Sequence, residues 1–405
     1  MTVASAETLT TAGRLSRLTL LFLAHAVGTA NITVVLATAP GIEQSLGLNH
    51  ATFGVMVSAY YGALLVCSVP AGFVVDRFGI RMALVLANAS TGFGMWLFSR
   101  SDSSAIAIAG LMLCGLGYSL INPATARGIL AWFPARGRAT AMGVKQTGVP
   151  AGGLATALAA AAVADWRQLA LIVSLLTLTA AVGCALLRIA EPVVTARARI
   201  GDIPAVLRLR GVITFNLGAC LYAAALGAFL AYLVLYARDV LAAQPSMASL
   251  CLGIAHVASA TGRIAWGFIS DMIRHNGRLI ALVASGVIAA IGIVLLVLTP
   301  SLGGPAMLPV IAVLLGLTLA GYAGLTQTAA AEAVEPRLAG AALGYNMLLT
   351  NSGMMLGPVL FGMGVEIMGY GPSWIALAVI MLLGAGLFRA GFIPPRLAMD
   401  KTQGG

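Results

Sequence analysis

Long apolar stretches follow one another along this sequence, with only short polar connections between them. A stretch of about 20 apolar residues is long enough to cross the hydrocarbon core of a bilayer as one helix. The stretches lack the alternating pattern of membrane strands, and 9% charged residues are too few for a soluble fold. The sequence therefore predicts an all-α membrane protein. Twelve transmembrane helices are expected, which we call spans 1 to 12, near residues 17–40, 50–72, 82–99, 105–132, 139–163, 168–188, 212–237, 247–269, 279–299, 306–331, 340–363 and 373–394.

The distribution of Lys and Arg predicts the orientation of these spans. If the N-terminus lies inside, most of the 23 Lys and Arg residues fall in loops on that side, whereas Arg100, Arg167 and Arg238 fall on the other. By the positive-inside rule, both termini are expected in the cytoplasm, in a multi-pass protein of the cell (inner) membrane. The same bias accounts for the net charge of +10, so no nucleic-acid partner is expected. Span 1 shows no cleavage site with a soluble domain behind it, and we interpret it as a retained helix.

The longest polar connection divides the spans six and six. The expected regions are a cytoplasmic tail (1–16), a first six-helix bundle (17–188), a cytoplasmic central loop (189–211), a second six-helix bundle (212–394) and a second cytoplasmic tail (395–405). The two halves repeat one another. The recurring pairs are Asp76 and Asp271 at an offset of 195, Tyr61 and His256, Gly117-Tyr118 and Gly321-Tyr322, the segments 139–143 and 340–344, and Lys145 and Asn346. Such parallel repeats are typical of transporters built from two pseudosymmetric bundles.

A polar motif stands between spans 2 and 3. It reads Gly72-x-x-x-Asp76-Arg77-x-Gly79-x-Arg81, and a degenerate copy with Asp271, Arg274 and Arg278 follows span 8. With this motif in place, with twelve spans and with a six-plus-six division, the whole chain resembles the major facilitator superfamily. The resemblance implies two six-helix bundles that work by rocker-switch alternating access.

The resemblance also implies a gating role for the motif. Asp76 would face the positive N-terminal end of span 11 and close the cytoplasmic side, and Asp271 would do the same at the start of span 5. Gly72 would allow close helix approach and Gly79 the chain reversal. The family often adds an acid in span 4 for the motif arginine; this sequence lacks it there, and Glu332 or Glu335 is a candidate partner of Arg77. The expected gate comprises Gly72, Asp76, Arg77, Gly79, Arg81, Asp271 and Arg274; the alternative is a solvated loop whose positive charges set the topology.

Three cations lie within predicted spans: Arg127, Lys145 and Arg263. All 13 acidic residues fall in loops or at span ends, and a charge at the centre of a membrane helix costs at least about 2.5 to 3.5 kcal/mol. The cations therefore need a ligand, water or a snorkelling route. At 1.5 Å per residue, each lies roughly 9 to 12 Å inside the cytoplasmic boundary. In the superfamily spans 4, 5 and 8 line the central path, so the three cations could converge on one anion.

The segment GRIAWGFISD at 262–271 gives Arg263 a specific interpretation. It resembles the span 8 segment of the oxalate/formate antiporter and monocarboxylate transporter families, in which the arginine binds the substrate carboxylate. The guanidinium suits that task because it binds a carboxylate with two hydrogen bonds. The second cation of the oxalate family, a lysine in span 11, has no counterpart here, and Lys145 could supply that charge instead. A structural or gating arginine is the alternative.

Arg127 lies in a segment similar to anion:cation symporters and nitrate/nitrite porters; the alternative is an arginine that snorkels to the helix end. His256 lies two turns before Arg263 on the same helix face. Further candidate substrate-binding side chains are Tyr60, Tyr61, Tyr118, Asn122, Tyr322 and Asn346, each of which could equally be a packed core residue. Proton coupling would have to use His25, His256, Lys145 or the protonation of the substrate itself.

Small residues in span 5 predict a packing surface. Gly148, Pro150, Gly152 and Gly153 are similar to the glycine-proline motif of exporters of this superfamily, although the order differs. The spacing of Gly148 and Gly152 suits close helix contact. We therefore assign these residues to helix packing and infer no export from them.

Together these features predict a secondary transporter of a small organic anion, a mono- or dicarboxylate. Antiport, proton symport and uniport stay open, so protons or a counter-transported anion are further candidate partners beside the lipid bilayer. A monomer is expected, with no cofactor and no metal, because the five Cys residues show no metal or disulfide spacing. An enzyme is not expected, since no nucleophile, base and orienting group share a helix depth. The alternatives are an exporter of amphiphilic compounds and a transport-inactive sensor or scaffold.

Overall fold

The computed structural model describes residues 11–133, 138–163, 165–186, 203–273, 275–335 and 338–392. Within these ranges the chain is helical and contains no strand. The helices are α1 (Thr11–Ala37), α2 (Ala39–Leu46), α3 (His50–Ser99), α4 (Ser104–Ser119), α5 (Ile121–Trp132), α6 (Arg138–Gln146), α7 (Gly148–Ala162), α8 (Trp166–Leu186), α9 (Ile203–Leu207), α10 (Val212–Asp239), α11 (Pro245–Met272), α12 (Gly277–Leu302), α13 (Leu308–Thr318), α14 (Ala323–Glu332), α15 (Ala339–Met368) and α16 (Tyr370–Gly391), with a 3-10 helix at Gly304–Met307.

The predicted spans correspond to these helices, and the all-α membrane fold is confirmed. Spans 2 and 3 both lie within α3, which is interrupted at Gly79. Span 4 is divided into α4 and α5, and span 10 contains the 3-10 helix, α13 and α14. Among the described residues, eleven helical segments are long and apolar enough to cross a membrane, as judged by length and composition. Span 5, which is divided into α6 and α7, is not among them. Large apolar side chains such as Val66, Leu186 and Ile367 are exposed, as expected of a lipid-facing surface.

The division of span 5 has a local cause. Pro150 has no N–H, so the carbonyl of Gln146 receives no hydrogen bond from the position four residues later. Around this point Thr147 N donates to both Gly143 O and Val144 O at 3.2 Å, a tightened turn. The helix resumes when Ala151 N donates to Thr147 O at 3.1 Å. A second interruption lies inside α3, where Gly79 adopts φ 81° and ψ 177°, a conformation that favours glycine. It lies where the motif predicts a chain reversal.

The chain divides into two compact units, which are described separately. The first comprises Met1–Thr195 with Gln244–Gly253, and the second comprises Ala196–Ala243 with Ile254–Gly405. The predicted central loop contains the short helix α9, and α1 begins at Thr11, within the predicted tail. The remainder of both predicted tails and of the central loop lies largely outside the described residues. The predicted limits of the two bundles stay a prediction.

In the first unit, α1 packs closely on α7 through two glycines. A Cβ atom on Gly148 would lie 2.3 Å from Phe22 O, and one on Gly152 would lie 2.0 Å from Ala26 O. Distances this short leave no room for a methyl group. Pro150 and Gly153 are also buried in this helix.

The second unit repeats this contact between α10 and α15. A Cβ atom on Gly353 would lie 2.1 Å from Cys220 O, and one on Gly357 would lie 2.0 Å from Ala224 O. The neighbours of Gly353 match those of Gly148 atom for atom, because Ala223 Cβ stands where His25 Cβ stands in the first unit. The internal repeat is thus a repeat of contacts as well as of sequence.

These contacts correct three of the pairings that the sequence suggested. Gly148 corresponds to Gly353, so the offset between α7 and α15 is 205 residues and Lys145 corresponds to Thr350 instead of Asn346. The pairing of segment 139–143 with segment 340–344 is therefore wrong by one helical turn. The pairing of Gly117-Tyr118 with Gly321-Tyr322 is also wrong in register. A Cβ on Gly115 would contact Tyr60 O and Ala63 Cβ, and one on Gly316 would contact Ala255 O and Ala258 Cβ, which gives an offset of 201 there.

We expect Gly152→Ala to destabilise the protein, because the added methyl group meets the backbone carbonyl of Ala26 at 2.0 Å and α1 must move away. Overpacking of this kind costs about 1 to 3 kcal/mol. The control is Gly183→Ala in α8, where a Cβ would meet nothing within 4 Å and the better helix propensity of Ala is the main effect. Thermal unfolding in detergent micelles compares the two. A midpoint for Gly152→Ala at or above that of Gly183→Ala would contradict the close packing.

Candidate functional site

Arg127 is bound by the motif aspartate. Its Nη1 atom donates to Val75 O at 2.6 Å and to Asp76 Oδ1 at 3.2 Å. The expectation that all three membrane cations lack a carboxylate is therefore wrong for Arg127. The sequence count had placed Asp76 in a loop, but α3 continues through this residue and holds its carboxylate, 36% exposed, beside α5. Arg127, expected as a substrate-binding residue, here joins the motif to α5.

The other motif residues in the first unit have different surroundings. Arg77 and Arg81 are exposed, and the Arg77 guanidinium lies 6.0 Å from the centre of the Phe78 ring. A Cβ on Gly72 would meet nothing within 4 Å, so the expected close helix approach is not found there. Gly79 is buried at the interruption inside α3.

The degenerate motif in the second unit forms a different ion pair. Arg278 Nη1 lies 2.6 Å from Asp271 Oδ1, Arg278 Nη2 lies 3.3 Å from Glu332 Oε1, and the guanidinium also contacts the Ser270 hydroxyl. Glu332, a candidate partner of Arg77 from the sequence, is thus bound by Arg278. Arg274 lies outside the described residues. The two ion pairs differ in which helix carries which charge. In the first unit α5 supplies the cation, Arg127, whereas in the second unit α14 supplies an anion, Glu332.

Lys145 is enclosed in the first unit among neutral partners. Its side chain is 1% exposed, and Nζ donates to Thr125 Oγ1 at 2.9 Å. His25 Nε2 lies 3.0 Å from the same hydroxyl oxygen, which itself donates to Ile121 O at 2.7 Å. In the part of the chain that the structure describes, Lys145 forms no salt bridge. We call Lys145, Thr125 and His25 the lysine cluster.

Two members of the lysine cluster were not among the predicted site residues. Thr125 and His25 are 100 residues apart, and no spacing in the sequence links either of them to Lys145. The sequence singled out His25 only as a membrane histidine. The one sequence feature that points to His25 is the pair of glycines in α7, because they allow α1 to approach the end of α6. A Cβ on Gly148 would lie only 2.9 Å from His25 Cβ.

The second unit places Arg263 near two other predicted residues. Arg263 is half-buried on α11 and interacts electrostatically with His256 and Tyr322. His256 is 8% exposed, and its Nε2 atom has no hydrogen-bond partner among the described residues. Tyr322 packs edge-to-face on Tyr222 with ring centres 5.1 Å apart. We call Arg263, His256 and Tyr322 the arginine cluster; Tyr222, which supports it, was not predicted.

The predicted aromatic residues of the first unit form a group of their own. The ring centres of Tyr60 and Tyr61 are 5.1 Å apart, and those of Tyr60 and Tyr118 are 6.3 Å apart. The Tyr118 hydroxyl lies 3.3 Å from Thr29 Oγ1. Asn122 is half-buried on α5.

Asn346 is buried between helices and hydrogen-bonded to another side chain. It is fully buried, and its Nδ2 donates to Asn216 Oδ1 at 2.8 Å. Asn216 in turn donates to Val212 O at 2.8 Å. This pair ties α15 to α10 and lies one helical turn from Thr350, the true counterpart of Lys145.

Comparison with known proteins gives consistent results. Residues 21–308 match the model of the family described as Major Facilitator Superfamily. An uncharacterized MFS-type transporter of Mycobacterium tuberculosis, Rv2994, is 26% identical over 365 residues, which are 88% of this chain and 81% of that protein. A probable galactarate/D-glucarate transporter of Bacillus subtilis, GudP, is 27% identical over 128 residues, which are 30% of this chain and 28% of GudP. The fold is similar to the crystal structure of a bacterial homologue of the human lysosomal transporter Spinster in an inward-facing and occupied conformation, with a TM-score of 0.78, 18% identity and coverage of 93% of this chain and 96% of that one.

We expect the Arg127–Asp76 pair to contribute modestly to stability, because Asp76 is 36% exposed and water screens the interaction. A double-mutant cycle with Arg127→Gln and Asp76→Asn should give a coupling free energy of about 0.5 to 1 kcal/mol. The measurement is chemical unfolding in micelles of the two single variants and the double variant. Strictly additive effects would show that the two side chains are not coupled in solution.

We expect Lys145→Met to stabilise the folded protein, because the buried amine has only neutral hydrogen-bond partners and must either keep an uncompensated charge or lose its proton on folding. Replacing buried ionic groups by apolar ones of similar volume is often stabilising by about 1 to 4 kcal/mol. Arg127→Met is the matched control and should destabilise, since it deprives Asp76 of its cation. Thermal unfolding near pH 7 tests both. A lower midpoint for Lys145→Met would mean that the ammonium is well compensated.

Proposed function

Because this chain belongs to the major facilitator superfamily, we propose that it carries a small organic anion, a mono- or dicarboxylate, across the membrane. Membership itself makes the chain a multi-pass membrane transporter of small molecules and not an enzyme. The finer parts of the proposal are rocker-switch alternating access, a location in the inner membrane with both termini in the cytoplasm, and a monomeric state. Arg127, bound to Asp76, is assigned to the cytoplasmic gate rather than to substrate.

The observation that carries the proposal is the burial of Lys145. Its ammonium is 1% exposed and donates to a neutral hydroxyl, and the described residues offer it no salt bridge. Retaining such a charge in a membrane span costs free energy that packing does not recover. A bound carboxylate would offset this cost, so an anion is the substrate that this side chain favours.

The arginine cluster supports the same substrate class. Arg263 offers two parallel hydrogen bonds to a carboxylate, and the buried His256 Nε2 has a hydrogen-bonding capacity that no described residue uses. His256 lies two helical turns from Arg263, so one ligand that reaches both needs a carboxylate and a second polar group some distance away. Hydroxylated or dicarboxylic acids meet this requirement. The relative GudP is named for galactarate and D-glucarate, which are acids of that kind.

We expect the purified protein in proteoliposomes to take up at least one labelled anion from a panel of lactate, pyruvate, oxalate, galactarate and D-glucarate. Arg263→Gln should reduce this uptake more than tenfold, because it removes the fixed charge and the bidentate contact. Arg263→Lys should give an intermediate rate, since it keeps the charge alone. Arg100→Gln, an exposed arginine at the end of α3, is the control and should transport normally.

The other outcomes point to the alternatives. If the folded protein moves a lipophilic cation such as tetraphenylphosphonium and none of the anions, it is an exporter of amphiphilic compounds. If it moves neither class, the sensor or scaffold interpretation holds. Wild-type uptake by Arg263→Gln would contradict the assignment of Arg263 to the substrate.

A further inference from the structure

The hydrogen bonds of the lysine cluster fix the position of one proton. The Thr125 hydroxyl has a single hydrogen, which points to Ile121 O at 2.7 Å with a longer contact to Asn122 O at 3.1 Å. Its two lone pairs are then left to accept from Lys145 Nζ and His25 Nε2, at 2.9 and 3.0 Å. His25 therefore carries its hydrogen on Nε2 when neutral.

This arrangement allows Lys145 to exist with or without its positive charge. An ammonium has three N–H groups and a neutral amine has two, and the cluster uses one of them. Lys145 can therefore lose a proton without breaking its hydrogen bond to Thr125. An arginine at this position could not do so, because its guanidinium stays protonated in proteins.

Two bases that share one hydroxyl cannot easily both be charged. Lys145 Nζ and His25 Nε2 each lie within about 3 Å of Thr125 Oγ1, and two positive charges that close repel strongly in a medium of low polarity. The cluster therefore holds one exchangeable positive charge.

Among the described residues of α1, α5, α6 and α7, Lys145 and His25 are the side chains that can titrate near neutral pH. The helices packed on α6 are α1, α5 and α7, and α7 carries no titratable side chain. The remaining titratable side chains on α1, α5 and α6 are arginines, which keep their charge at physiological pH: Arg14, Arg17, Arg127 and Arg138. Arg17 stacks on Trp132, Arg127 binds Asp76, and Arg138 binds the carbonyls of Phe133 and Leu130.

We propose that the lysine cluster is the proton-binding site of this transporter and that Lys145 carries one proton together with each anion. The inference rests on the proposed function. Lys145 is protonated when the anion binds, because the carboxylate stabilises the ammonium. When the anion leaves, the ammonium gives its proton to water on the side to which the protein is open, and the neutral amine remains bonded to Thr125. For a monocarboxylate the transported pair is electrically neutral.

The described residues of the second unit do not repeat the lysine cluster. The internal repeat places Thr350 at the position of Lys145 and Ala223 at the position of His25. The charge of that unit near its predicted substrate residues is Arg263, which does not titrate. The lysine cluster therefore has no basic counterpart at the corresponding positions of the second unit.

The test measures protons and anions together in proteoliposomes that contain a pH-sensitive dye. Labelled lactate, oxalate and galactarate are the probes, and the readout is the number of protons that enter per anion. We expect a ratio of about one for the wild type with lactate. Lys145→Arg keeps the positive charge but cannot release the proton. The number of protons per anion should therefore fall at least tenfold in this variant, whether or not its rate of anion uptake changes. Thr125→Ser, which keeps the hydroxyl, should retain the wild-type ratio, and so should Arg100→Gln, the exposed control.

Each outcome decides one proposal. If the wild type moves an anion without protons, or if Lys145→Arg keeps the wild-type ratio, the proton site is overturned and anion transport stands. If no anion moves in the wild type, the proposed function fails and the proton site with it. Should Lys145→Arg not fold, Thr125→Val is the second variant. It removes the shared hydroxyl with little change in volume, and an unchanged ratio and unchanged pH dependence of uptake would also overturn the proposal.

Discussion

A charge in the hydrocarbon interior of a bilayer is costly unless something compensates it, and much of the organisation of this protein follows from how it treats its three intramembrane cations. Arg127 is compensated within the first unit by Asp76 and a backbone carbonyl. Lys145 is compensated only by neutral groups, although a lysine, unlike an arginine, can respond by losing its proton. Arg263 lies close to His256 and Tyr322 and keeps its charge. The residue types thus match three solutions to the same problem: a paired charge, an exchangeable charge and a fixed charge.

The close approach of α1 and α7 connects this electrostatic problem to helix packing. Gly148 and Gly152 allow α7 to touch the backbone of α1 directly, as membrane helices do in the absence of a strong hydrophobic driving force between them. The same contact brings His25 next to Gly148, which follows Lys145 by three residues in the sequence. Pro150 contributes by interrupting the helix there. A bulkier residue at Gly148 would displace α1 and separate His25 from Thr125, so residues that a sequence assigns to packing also hold the lysine cluster together.

Composition and motif were sufficient to predict the fold, because a membrane span needs only length and apolar character. They were not sufficient to predict partners. Asp76 was assigned to a loop because charged residues usually end a span, yet α3 runs through it and presents it to Arg127. Lys145 was paired with Asn346 from a similarity between short segments of small residues. Because small residues recur about every four positions in these helices, such an alignment can be wrong by one helical turn. Contacts with backbone carbonyls fix the register and give Thr350 instead. Thr125 could not be found at all, since it meets Lys145 and His25 only through tertiary packing.

The difference between the two halves bears on how an anion carrier returns empty. A fixed cation that attracts the substrate remains charged after the substrate has left, and it then has to be reoriented without the negative charge of the substrate. A lysine can release its proton and return as a neutral amine, which removes that cost. Under the proposed coupling, a carrier with two arginines would bind its anion firmly and reset slowly, and one with two lysines would lose the bidentate contact that orients a carboxylate. If both proposals hold, one titratable cation in the first unit and one permanent cation in the second, at positions that the internal repeat does not relate, would orient the anion and still allow a return without the cost of a buried charge on Lys145. This combination gives a physical reason for the sequence asymmetry of a fold whose helix contacts are otherwise repeated closely.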